Sequence, residues 1–95
     1  MFLGAFQFDG PVDELTAAYD RMLAGYPPDS LQLHISVIRG NGITVYDACP
    51  SRTDYEHFIA SEELRGALAG VGLPWPRIEA LGEVRTTHIA QPLPV

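Results

Sequence analysis

Lysine is absent from this 95-residue sequence; cysteine and tryptophan occur once each, as Cys49 and Trp75, and asparagine only as Asn41. Six arginines stand against twelve acidic residues, giving a formal net charge of -6 and a pI near 4.7. A surface of that sign repels phosphate backbones and anionic lipid, so no nucleic-acid or membrane partner is expected. A lone thiol cannot close an intrachain disulfide and suits a reducing compartment, which makes a cytoplasmic location the default. No apolar run approaches the roughly 20 residues that span a bilayer. The opening "MFLGAFQFDG" also lacks the basic leader of a secretory signal.

What is present suffices for one folded domain over residues 1–95, since 46% of residues are hydrophobic and only 19% charged. A domain this small buries a modest fraction of its surface, and association with a second copy would stabilise it. "MFLGAFQF", ended by "DGP", reads as a short buried strand. Pro11 suits the first turn of a helix, with Asp9 or Gly10 in front of it as cap. Val12, Leu15, Ala18, Tyr19, Met22 and Leu23 then form one helical stripe. Gly25 supplies the stop and "YPPD" forbids continuation.

Leu31, Leu33, Ile35 and Val37 alternate with Gln32, His34 and Ser36, the period of a strand with two unlike faces. "RGNG" follows, and Asn41-Gly42 is a strong signal for a two-residue hairpin. "ITVYDAC" is the returning strand. Ser51, with Asp54 three residues on, resembles a capping box for the next helix. The apolar faces before and after residue 60 do not align, so a break near Ser61 is expected, with that serine capping a second short helix. "VGLPWP" is a rigid loop, "RIEALGEVRTTHIA" a last strand weakened by Gly82, and "QPLPV" an extended tail. The order β-α-β-β-α-β predicts an α+β, ferredoxin-like fold, a four-stranded antiparallel sheet with helices on one face. The other face is then left apolar and uncovered, and calls for a partner.

His34 nine residues ahead of the end of the turn, the pattern G-x-x-V-x-D at Gly42, Val45 and Asp47, then Ser51, Phe58, Leu68 and "GLPWP" together resemble small proteins of the dimeric α+β barrel superfamily. That superfamily includes antibiotic-biosynthesis and haem-degrading monooxygenases. The resemblance implies a homodimer built through the sheet faces. It also implies a cavity for a flat apolar or aromatic ligand, lined by Tyr19, Tyr26, Tyr46, Tyr55 and Trp75. It does not extend to haem oxidation: the haem-degrading members resemble one another in a first-strand Asn with a Trp and a His deeper in the fold, where this chain offers Gln7 and Trp75.

His34, Ser36, Asp47 and Cys49 interrupt otherwise apolar strands. A turn on Asn41-Gly42 places Ser36 opposite Asp47 and His34 opposite Cys49, so the four share one face. A three-residue "GNG" loop would instead bring Tyr46 and Ala48 beside His34 and Ser36. Two readings stand together. In one, His34 is a general base oriented by Asp47, with Ser36, Tyr46, Cys49 and Trp75 as ligand-binding residues. In the other, the polar strand residues only hydrogen-bond across the hairpin or an interface. Tyr19 and Tyr55, on helical stripes, read as core packing. No metal site is expected, because His34, His57 and His88 lack ligand spacing and a 4-1-3-2 sheet puts His34 and His88 on opposite edges. No cofactor is implied. The activities left open are a cofactor-independent monooxygenase or isomerase acting on a small aromatic compound, and a non-catalytic homodimeric binding or assembly module.

Overall fold

Four strands, β1 (Phe2–Asp9), β2 (Leu33–Arg39), β3 (Gly42–Cys49) and β4 (Arg77–Glu83), form one antiparallel sheet in the order β2-β3-β1-β4. Three helices, α1 (Val12–Gly25), α2 (Arg52–Ala60) and α3 (Glu62–Val71), complete the chain in this computed structural model, which describes residues 1–26 and 31–90. The βαββαβ plan read from the sequence is present, with its second helix in two pieces. The tail "QPLPV", and "YPPD" beyond Tyr26, lie outside the described residues.

Local chemistry explains most boundaries. The Ser51 hydroxyl accepts the amide of Asp54 and the Ser61 hydroxyl that of Leu64, so each piece of the second helix has its own cap. Helix α3 ends at Gly72, whose φ of 84° is left-handed and comfortable only for glycine, and the Leu73 amide reaches back to the Leu68 carbonyl. The start of α1 differs from expectation: Pro11 itself occupies the cap, with no side-chain bond, while Asp13 and Glu14 complement the exposed first-turn amides. Strand β4 stops at Glu83, short of the run expected to Ala90, with a register shift where Leu3 pairs Gly82 but Gly4 pairs Ala80.

The hairpin corrects the sequence reading. Arg39 pairs with Gly42, so the turn residues are Gly40 and Asn41 rather than Asn41 and Gly42, and neither has a positive φ. Gly42 belongs to β3 for a spatial reason: a Cβ there would stand 2.0 Å from the Phe8 carbonyl oxygen of the neighbouring strand. The glycine that looked like a turn residue is needed for strand approach. A turn one residue earlier shifts the pairing by two, and a shift of two preserves which side chains share a face.

Phe2, Phe6 and Phe8 of β1 with Ile43, Val45 and Cys49 of β3 pack against Leu15, Ala18 and Tyr19 of α1, Tyr55 of α2 and Leu68 of α3. This is the core, and all of it lies on the helix side of the sheet. On the opposite face Leu33, Ile35 and Val37 of β2 flank Tyr46 and Ala48 of β3 and Leu3 and Ala5 of β1. Among the described residues no helix covers that face, and Ile35 and Val37 are 36% and 42% exposed. One end of it is charged. Asp9 lies within 3.3 Å of both Arg39 and Arg77, and these two guanidinium groups, Arg77 first, hold its carboxyl below the ordinary carboxylate range.

Candidate functional site: a buried Asp–His–Tyr chain beside an apolar cleft

Strand β2 lies at the sheet edge, so its inward residues look past β3 toward α1. His34 and Ser36 are inward, and the observed pairing sets His34 directly opposite Asp47 and Ser36 opposite Val45. His34 Nδ1 is hydrogen-bonded to Asp47 Oδ1, and His34 Nε2 to the hydroxyl of Tyr19 from α1. The Tyr19 and His34 rings are within 8° of parallel, with centroids 5.9 Å apart. Asp47 and Tyr19 are buried and His34 is nearly so.

A carboxylate can only accept, so Nδ1 carries the proton that Asp47 receives, and in the neutral ring Nε2 is left as acceptor for the Tyr19 hydroxyl. Burial first, and the Asp47 carboxylate second, push the Tyr19 hydroxyl well above the ordinary phenol value; Ser36 pulls partly the other way. Tyr19 therefore stays a donor across the ordinary pH range. A substrate group that displaces this hydroxyl meets a ring nitrogen already held in its accepting tautomer, the arrangement of a general base with its orienting carboxylate.

His34 lines two hollows. A cleft of about 420 Å³ is walled by Met22, Leu23, Leu31, Phe58, Leu64 and Ala67, with Tyr26, Ser61 and Glu63 at its margin. A second hollow of about 590 Å³ runs along β2 beside α1, past Tyr19, Asp20, Ser36 and Ile38. Leu23 and His34 belong to both. Both have mostly apolar walls with few polar groups, the composition of a small-molecule site, and the first is the one set among all three helices and β2.

The structure thus brings His34, Asp47 and Ser36 to one place and sets the other candidates elsewhere. Cys49 faces the helices too, but it pairs with Phe2 rather than His34. Burial, then Asp47 and Asp54, push its thiol upward, so it is held as a neutral packing group. Tyr46 points to the opposite face of the sheet. Trp75 is 46% exposed beneath the Arg65 guanidinium, 4.6 Å from its ring centre, and lines neither hollow. Tyr19, read from the sequence as cavity lining or core packing, has a role that reading missed, its bond to His34: its place on the apolar stripe of α1 hides the hydroxyl, and only tertiary packing brings it to a histidine 15 positions away. Tyr55 is packing in its ring, 4.9 Å from Phe2, while its buried hydroxyl has no partner among the described residues. Among those residues no group of three or more His, Cys, Asp or Glu side chains could hold a metal ion, and no helix is long and apolar enough to cross a membrane.

No protein-family model matches the chain, and no curated protein matches it in sequence. Its fold does have a solved counterpart. The crystal structure of a candidate antibiotic biosynthesis monooxygenase from Deinococcus radiodurans aligns over 96% of this chain and 100% of its own, with a TM-score of 0.63 and 10% identity. The fold expected from the sequence is therefore the one found, a ferredoxin-like α+β sheet of the kind seen in that monooxygenase-like protein.

Proposed function

We propose that this protein handles a small apolar or aromatic compound in the helix-side cleft and transfers a proton there, as a cofactor-independent monooxygenase or isomerase. The observation that carries the reading is the Asp47–His34–Tyr19 chain placed beside an apolar cleft. A buried polar chain costs free energy unless every member is partnered, and this one places a histidine nitrogen at the wall of an apolar cleft. His34 takes the substrate proton, Asp47 orients and stabilises the ring, and Tyr19 returns a hydrogen bond to Nε2 when the cleft is empty. The anion so formed is electron-rich. It can be reprotonated elsewhere, which is isomerisation, or can add to dioxygen to give a peroxide that, once protonated, loses water, so that one oxygen atom stays as a carbonyl and the other leaves as water.

The working unit in this proposal is a cytoplasmic homodimer joined through the uncovered sheet face, where Leu33, Ile35, Val37 and Tyr46 would meet their counterparts. The exposure of Ile35 and Val37 supports it, as does the fold shared with the monooxygenase-like protein. The same exposed face favours the second reading, a non-catalytic binding or assembly module, in which the polar chain serves only to fix packing.

Proton abstraction has a direct readout. Small aromatic ketones such as indanone, incubated with the protein in D2O, should exchange their activated C–H faster than in buffer. His34→Gln should remove at least about 100-fold of that acceleration. If the wild type accelerates no exchange and no aromatic compound raises its melting temperature, the assembly reading takes its place.

A further inference from the structure

We infer that the cleft admits compounds whose polar end is uncharged or a protonated amine, and rejects carboxylates and phosphates. The inference rests on the cleft being the binding site and adds the charge class of what enters it. Among the described residues, the ionisable side chains that line it are His34, Glu63 and the Tyr26 phenol. Behind His34 stands the buried carboxylate of Asp47.

No arginine reaches the cleft, and each is placed elsewhere. Arg21 donates to the Val71 carbonyl, Arg39 and Arg77 hold Asp9 on the far face, and Arg52 pairs with Glu56. Arg65 lies over Trp75, and Arg85 lines a separate hollow with Leu3 and Leu81. The sequence has no lysine, and its undescribed positions 27–30 and 91–95 contain no basic side chain.

One positive feature does face the cleft, the amino end of α3, where helix amides attract anions in many proteins. Here it is already answered. The Ser61 hydroxyl accepts the Leu64 amide, and Glu62 and Glu63 fill the first turn with negative charge. An entering carboxylate would leave water for an apolar wall, and among the lining residues it would meet Glu63 and a histidine hydrogen-bonded to another carboxylate. A hydroxyl carries no charge to desolvate or to repel, and an amine, which must also leave water, is attracted by Glu63 where a carboxylate is repelled.

A matched trio tests this: 2-naphthalenemethanol, 2-naphthylmethylamine and 2-naphthoate, titrated by calorimetry with methyl shifts of Leu23, Leu31 and Leu64 reporting position. The alcohol and amine should bind in the cleft, and the naphthoate at least about tenfold more weakly. Glu63→Gln, an exposed substitution, should narrow the gap between alcohol and naphthoate by strengthening the naphthoate. Binding of naphthoate as tight as the alcohol would overturn the charge selection while leaving the cleft as a site. A gap that Glu63→Gln widens would do the same. Failure of all three to perturb the leucine methyls would overturn both the selection and the site.

Discussion

The two faces of this sheet differ in a way that composition alone would not suggest. The helix-covered face holds the polar side chains His34, Asp47 and Ser36, while the face with no helix over it offers Ile35, Val37, Leu33 and Tyr46. A polar group beneath a cover costs free energy unless it is partnered, and Asp47 and His34 are partnered. An apolar group without a cover leaves the opposite imbalance, which a second copy can correct. Each anomaly thus points outward from the fold, one to a ligand and the other to a partner.

The largest effect should come from breaking the polar chain. His34→Ala strands a buried carboxylate and is expected to cost about 3 kcal/mol in chemical denaturation. A loss below about 1 kcal/mol would show that Asp47 does not depend on the ring. On the uncovered face, Val37→Glu should weaken self-association by at least about 100-fold in sedimentation equilibrium while the monomer keeps its circular dichroism spectrum. Unchanged association would remove that face from the interface. Gly42→Ala, where β3 crowds the Phe8 carbonyl, should cost about 2 kcal/mol because backbone must move. A neutral result there would show that the approach of the Phe8 carbonyl does not require a glycine.

The smallest effect is the most specific. Tyr19→Phe keeps the ring and removes one hydrogen bond, for about 1 kcal/mol at neutral pH. The pH dependence follows from the sign of the shift. The folded-state hydroxyl titrates above its unfolded value near 10, so its stabilisation is complete below pH 10 and is lost as pH rises from there toward the folded value. Tyr19→Phe should therefore flatten part of the alkaline fall in melting temperature, with Tyr55, raised in the same direction by burial, supplying the remainder. An alkaline limb identical to wild type would show that Tyr19 is not sequestered.

What could be read from the sequence was what repeats locally. Alternation in "LQLHISV" gave β2 its two faces, and the mismatch of apolar stripes around Ser61 gave the break between α2 and α3, because both depend on spacing within a few residues. The turn was misplaced by one residue because Gly42 carries the same letter whether it frees a turn or clears a path for Phe8. The polar patch survived that error, since a shift of two in pairing keeps the faces intact. Tyr19 escaped because the partner that gives its hydroxyl meaning lies on another element, and Tyr46 and Trp75 were grouped with His34 before the sheet and the α3–β4 loop separated them.

The most direct test pits one face against the other. An aromatic compound that raises the melting temperature is titrated into isotope-labelled protein, and shifts are followed at Tyr19, His34, Leu23 and Leu64 on one side of the sheet and at Ile35, Val37 and Tyr46 on the other. The helix-side group should move together and saturate with one dissociation constant while the second group stays still. Movement confined to Ile35, Val37 and Tyr46 would place the ligand on the uncovered face and contradict the account.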